Sequence, residues 1–211
     1  MTRCFLGFEL TETSRGYLCE RLLPLRRTLA EDHGWPVRLV PPDNWHATLL
    51  FFPRLEEAER DAVWAAVAEG VAAGAWGALE FAWRGLALWP SPRRPGLLCV
   101  EAERYEGAAR WPLAALAQQE PFRQGDTAHL LSYVPHITVM RLRAGRGARL
   151  PRPRDWEAVQ PLLPAIEAAA LRFDRVSFFL STVTAERPVY PRERTLTLGN
   201  TQQQRATDPR G

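Results

Sequence analysis

Two short stretches, His46-Ala47-Thr48-Leu49 and His136-Ile137-Thr138-Val139, share the pattern His-x-Thr-aliphatic and stand 90 residues apart, one in each half of the chain. Each lies in an apolar run of strand character and follows a proline-containing approach. The chain has only four histidines and thirteen threonines, so two matched copies are an uncommon accident where one would be weak evidence. The repetition asks for a fold in which two related strands, distant in sequence, can present the same pair of side chains.

The surrounding pattern suits such a fold. Cys4–Leu10, Val37–Val40 and Trp45–Pro53 read as strands, as do Leu79–Leu88, Leu97–Glu103, Tyr133–Leu142, Leu171–Val183 and Val189–Leu198. Helices are expected from a Thr11 or Thr13 cap to about Glu31, over Arg54–Ala73, over Tyr105–Gln119 and over Asp155–Ile166. Strands and helices mix without the strict alternation of a parallel doubly wound sheet. The fold class is therefore α+β with antiparallel sheets, in one domain over residues 1–198. The polar stretch 199–211 is expected to be a disordered tail.

Residues i and i+2 of a strand point to one face, so each histidine shares its face with its threonine. Two such strands side by side would offer two imidazoles and two hydroxyls to one small volume. That set fits a tetrahedral phosphate: hydroxyls donate to non-bridging oxygens, and imidazoles reach the attacking and leaving oxygens. Imidazole titrates near neutrality, so one ring can accept a proton while the other gives one. The plainer alternative is a pair of core histidines bonded to backbone, which a matched pair disfavours. No His-Glu-x-x-His motif or His/Cys cluster stands at ligand spacing, so neither a metal nor another cofactor is expected.

These residues resemble the two-histidine phosphoesterase superfamily, in particular its RNA 2′,3′-cyclic phosphodiesterase branch, historically called 2′-5′ RNA ligases. Asp43-Asn-Trp-His-Ala-Thr-Leu-Leu-Phe-Phe52 is similar to the family's first motif and Tyr133-Val-Pro-His-Ile-Thr-Val-Met-Arg141 to its second. Arg3–Leu10 resembles the opening strand, and Phe178–Ser181 through Tyr190 the closing strand pair. The resemblance implies a bilobal fold with pseudo-twofold symmetry, antiparallel sheets lining a central cleft and helices outside. It also implies hydrolysis of a cyclic diester to a 2′-phosphate, with His46 as acid and His136 as base. Substrates would be RNA ends or nucleoside 2′,3′-cyclic phosphates. Reversible 2′-5′ RNA end-joining and other cyclic phosphates would use the same groups. A non-catalytic RNA-binding module is the alternative from another class, and a metal hydrolase is a further one. Departures are Phe52-Pro-Arg54, where the family has a Leu-Gly turn, and the arginine-rich stretch after Arg141.

Thr48, Thr138 and Arg141 are the candidate phosphate ligands. Arg141 is five residues past His136, an odd separation, so it needs a bulge or the strand's end to face the same way. Arg141, Arg143, Arg146, Arg149, Arg152 and Arg154 form an expected loop that could follow an RNA backbone. Trp45, Tyr133 and Phe8 are candidate stacking platforms for a nucleobase. His33 and His129 are left as structural or surface residues.

Composition adds little against this reading. Net charge is +3 and every basic side chain is arginine, a usage that reads as genome composition, though guanidinium suits phosphate well. Cys4, Cys19 and Cys99 are widely spaced and odd in number, neither a disulfide framework nor a Cys-x-x-Cys motif. The N-terminus reaches Glu9 too soon for a signal-peptide core, and no run spans a membrane. A monomeric, cytosolic protein without a membrane partner is expected.

Overall fold

A computed structural model describes residues 2–74, 81–105, 133–145, 149–183 and 188–198. Strand β1 (Thr2–Leu10) leads into helix α1 (Glu12–Glu31), which Thr11 caps by accepting a hydrogen bond from the Ser14 backbone N–H at 3.1 Å. Short β2 (Val37–Leu39) follows, then β3 (His46–Leu55) and helix α2 (Glu57–Ala72). Next come β4 (Trp83–Trp89), β5 (Leu97–Ala102) and β6 (His136–Leu142). Helix α3 (Pro153–Val159) precedes β7 (Phe173–Leu180), β8 (Thr182–Val183), β9 (Pro188–Val189) and β10 (Arg192–Thr197).

The strands form an eight-stranded antiparallel sheet in the order β10-β7-β1-β3-β6-β5-β4, with β2 also on β6, and β8-β9 make a separate pair. Strands from both halves of the chain belong to one sheet, and the seam between β3 and β6 is a single residue pair, Ala47 with Ile137. Beyond it β3 diverges, and β2 takes its place on β6 opposite Met140–Leu142.

One face of the sheet carries the core. Leu6, Phe8, Ala47, Leu50, Phe52, Val100, Ile137, Met140, Val176 and Phe178 are buried there, in one cluster with residues of the three described helices. Helix α1 contributes Leu18, Leu22, Leu25 and Leu29 at helical spacing, α2 contributes Val63 and Val67, and α3 contributes Trp156 and Val159. Each fully buried Leu or Phe is worth about 1.5–3 kcal/mol, so the helices hold one face firmly and leave the other for chemistry.

Several boundaries differ from the expectation. Helix α2 begins at Glu57 because β3 continues to Leu55, tolerating Pro53 at an exposed position near its end. The strand expected at Leu79–Leu88 is observed over Trp83–Trp89. Helix α3 stops at Val159, with Pro161 and Pro164 barring its continuation to Ile166. The helix expected over Tyr105–Gln119, the tail 199–211 and His129 lie outside the described residues, Tyr105 excepted.

Candidate functional site

Antiparallel strands carry their directly opposed residues on the same face. With Ala47 opposite Ile137 on the core face, the next position either way sets His46 across from Thr138 and Thr48 across from His136. All four then lie on the face away from the helices. Diagonal neighbours across such a pair are about 7–8 Å apart, a gap that accommodates one phosphate. His136 is among the electrostatic influences on the His46 ring, as expected for neighbours.

The two copies agree beyond the motif. From His46 to Phe52 and from His136 to Leu142 the alternation of half-buried and buried positions is identical. Both are interrupted by a bulge at the same place. Gly7 pairs with Thr48 and Leu6 with Leu50, leaving Leu49 as the extra residue. Cys99 pairs with Thr138 and Leu98 with Met140, leaving Val139. Each bulge reverses the phase of its strand, so Arg141 returns to the face of His136, and Phe51 to that of His46. Arg141 donates from Nη2 to the Tyr190 hydroxyl at 3.0 Å, and Tyr190 stands edge-on to the His46 ring at 5.7 Å. Arg141 therefore joins the two histidines and two threonines.

Both rings are fixed in the same manner. His46 Nδ1 lies 2.8 Å from the Asn44 carbonyl, and His136 Nδ1 lies 3.0 Å from the Val134 carbonyl. A carbonyl can only accept, so each Nδ1 carries hydrogen and proton exchange falls to Nε2. The ring faces are covered differently. His46 stacks on Phe5 at 4.7 Å and lies tilted against Phe179 at 5.2 Å. His136 stacks on Trp89 at 4.2 Å, and the Trp89 indole donates to Glu101. Burial lowers the His46 proton affinity from 6.5 to about 4, with His136 and Arg192 adding repulsion, against the Asn44 bond and Glu9. Glu9 sits opposite His46 and is 1 % exposed. Burial pushes its carboxyl up, but hydrogen bonds from Arg192 and Ser177 outweigh that and hold it below the ordinary carboxylate range.

The aromatic expectations need correction. Phe8, Trp45 and Tyr133 are fully buried in the core rather than placed as stacking platforms. Phe8 pairs with Ala47, which puts it on the helix-covered face, whereas Phe5, on the opposite face by the register, lies beside His46. The supporting residues Phe5, Trp89, Phe179 and Tyr190 were not singled out from sequence; only the strand register would have found them. Arg149, Arg152 and Arg154 all lie within 4 Å of Asp155, clustered about one carboxylate, and Arg146 is outside the described residues. His33 lies at an edge-on 6.5 Å from Trp35. Among the described residues no group of three or more His, Cys, Asp or Glu side chains is arranged to hold a metal ion, and no helix is long and apolar enough to cross a membrane.

No family model and no curated protein sequence matches the chain. Solved structures do. TT0787 of Thermus thermophilus superposes with a TM-score of 0.60 at 21% identity, over 93% of this chain and 97% of that one. E. coli LigT complexed with phosphate gives 0.53 at 17% identity, over 94% and 98%, and a phosphoesterase gives 0.53 at 15%, over 95% and 100%. The fold is LigT-like. At such identities the likeness is one of architecture, and the antiparallel α+β arrangement expected from the sequence is the one observed. Within the LigT-like sheet, the β3–β6 seam is where the two histidine strands touch.

Proposed function

We propose that this protein is a phosphoesterase that opens 2′,3′-cyclic phosphates at RNA ends or on nucleosides, with His46 and His136 exchanging the protons. The observation that carries the reading is the Ala47–Ile137 pair, which gathers both histidines and both threonines on one face. Phosphate bound to LigT of the same fold adds to it.

The cyclic diester sits between the rings, its non-bridging oxygens taking hydrogen bonds from Thr48, Thr138 and Arg141. His136 Nε2 removes a proton from water as the oxygen attacks phosphorus. The bond from phosphorus to the 3′-oxygen breaks, and His46 Nε2–H protonates that oxygen, leaving a 2′-phosphate. Burial keeps His46 neutral in the free protein at pH 7. The phosphate anion offsets that penalty, so the acid takes up its proton as substrate docks.

Hydrolysis of a 2′,3′-cyclic nucleotide, followed in chelator across pH, tests this. Turnover is expected to persist in chelator and to yield the 2′-phosphate. A bell-shaped kcat/KM profile should have one limb near pH 4, that of the His46 ring in the free protein. No turnover, or loss of turnover on chelation, defeats the reading. Ligation of end-labelled RNA in the same assay series would favour end-joining by the same groups.

A further inference from the structure

Glu9 is a carboxylate buried beneath the face that carries the histidines, and its neighbours lead to His46 by two routes. Ser177 Oγ donates to Oε1, and Thr195 Oγ1 stands 2.8 Å from Ser177 Oγ. Arg192 donates to Oε2 from Nε at 2.8 Å and from Nη2 at 2.7 Å. The same Nη2 also donates to the Asp43 carbonyl at 2.9 Å. The next carbonyl along the chain, that of Asn44, receives the Nδ1–H of His46. The Arg192 guanidinium further lies over the Phe179 ring, 5.7 Å from its centroid, and Phe179 flanks His46. One arginine thus touches both the turn and the ring against which His46 is set. Among the described residues the second motif is supported differently: Glu101, opposite His136, receives the indole of Trp89, which itself stacks on the imidazole.

We propose that Arg192, locked by Glu9, is a positioning residue for His46: it pins the Asp43–Asn44 turn so that Nδ1–H stays on the Asn44 carbonyl and Nε2 stays aimed at the phosphate. This rests on the proton-transfer reading above. The physical logic is that of an outer hydrogen-bonding layer. A ring with one fixed N–H has one tautomer and one direction for its other nitrogen, and an error of about 1 Å in that direction can cost about 10²-fold in rate. A buried carboxylate with two guanidinium bonds and a hydroxyl on it is a stiff anchor for such a layer. β10 therefore takes part in catalysis through the backbone of a turn 149 residues earlier in the chain.

The test separates this inference from the activity it serves. Nitrogen chemical shifts of the His46 ring, read by NMR on the free protein, report the tautomer without any turnover. Wild type is expected to show Nδ1–H with Nε2 bare. Arg192→Gln should give a mixture of both tautomers and, on the cyclic nucleotide, a kcat about 10- to 100-fold lower with KM within about threefold. Arg192→Lys keeps a positive charge on Glu9 but lacks the fork that reaches two acceptors, so it should fall short of rescue and covers the case in which the glutamine variant fails to fold. Arg194→Gln, which loses only an ion pair with Asp61, is the control and should match wild type. A single tautomer and unaltered kcat in folded Arg192→Gln or Arg192→Lys would overturn the proposal. A rise in KM alone would also overturn it, by making Arg192 a substrate contact. If wild type turns over no cyclic phosphate but the tautomer still loosens in the variants, the positioning role stands and the reaction assigned to the site falls.

Discussion

The strands β3 and β6 carry the same chemistry on different supports. Both have a histidine, a threonine two residues on, a bulge immediately after it and an Nδ1–H on the carbonyl two residues back. The supports diverge: His46 rests on Phe5 and Phe179 with the Glu9–Arg192 pair nearby, and His136 on Trp89 tied to Glu101. Even the positions after the bulge differ, Phe51 in one strand and Arg141 in the other. What the backbone dictates is shared, and it sets both histidines and both threonines on one face of the sheet. What the side chains add is not shared, and it surrounds the two imidazoles differently.

The strongest way to break this comparison is to remove the rings one at a time. His46→Ala and His136→Ala should each lower kcat on a 2′,3′-cyclic nucleotide by about 10²–10⁴-fold, because each abolishes one proton transfer. The double variant should be little worse than either single, since the two act on one transition state. A loss in only one of the pair would show that the second motif is a structural echo of the first.

Replacing the hydroxyls sharpens it. Thr48→Val and Thr138→Val keep shape and strand preference while deleting a donor, and each should cost about 10- to 100-fold in kcat, less than a ring. Thr138 Oγ1 lies 3.7 Å from the Cys99 sulfur, and burial has pushed that thiol up to about 12, so it stays protonated. Measured kcat values within a few-fold of each other would support equivalent oxygen contacts. No loss in either variant would remove the hydroxyls from the reaction.

Much of this was legible in the sequence because it is local. Period-two patterning and the repeated His-x-Thr pair locate the strands and the shared faces, and the odd offset of Arg141 already called for a bulge or the strand's end if it was to face His136. The register between strands is not local. Phe8 and Phe5 are both plausible from composition, and only pairing with Ala47 decides that Phe8 goes to the core and Phe5 to the imidazole. Trp89 and Tyr190 reach the site across long sequence separations, one from β4 and one beside β10, with no spacing that announces it. Glu9 carried no signal either, since a carboxylate at a strand end reads as solvated until its arginine is known.

Counterpart positions test the supports more gently. Gly7 pairs with Thr48 as Cys99 pairs with Thr138, yet only the first is a glycine. A methyl group at Gly7 would come within 3.3 Å of both the Ala47 carbonyl oxygen and His46 Cδ2. Backbone cannot yield as a flexible side chain can, so Gly7→Ala should cost about 1–3 kcal/mol of stability and turn the His46 ring, lowering kcat. Cys99→Ala removes an atom where Gly7→Ala adds one, and its effect on kcat should be the smaller. Denaturant midpoints with kinetics on the folded variants would show it; an unperturbed Gly7→Ala would mean that His46 has room to move.

The low proton affinity of His46 also appears in stability. The folded His46 ring binds a proton only near pH 4, against 6.5 for an ordinary histidine. Above pH 6.5 the ring is neutral folded or unfolded and contributes nothing to pH dependence. As pH falls from 6.5 towards 4 the unfolded chain takes up a proton that the folded one refuses, so stability declines across that window and the decline ends once the folded ring also protonates. Solvent at the half-buried ring reduces the full linkage, leaving on the order of 1–2 kcal/mol. His46→Asn should flatten this part of the stability profile, measured by urea unfolding at steps between about pH 7 and 4. A profile that keeps its slope in the variant would show that the low proton affinity assigned to His46 belongs to another group.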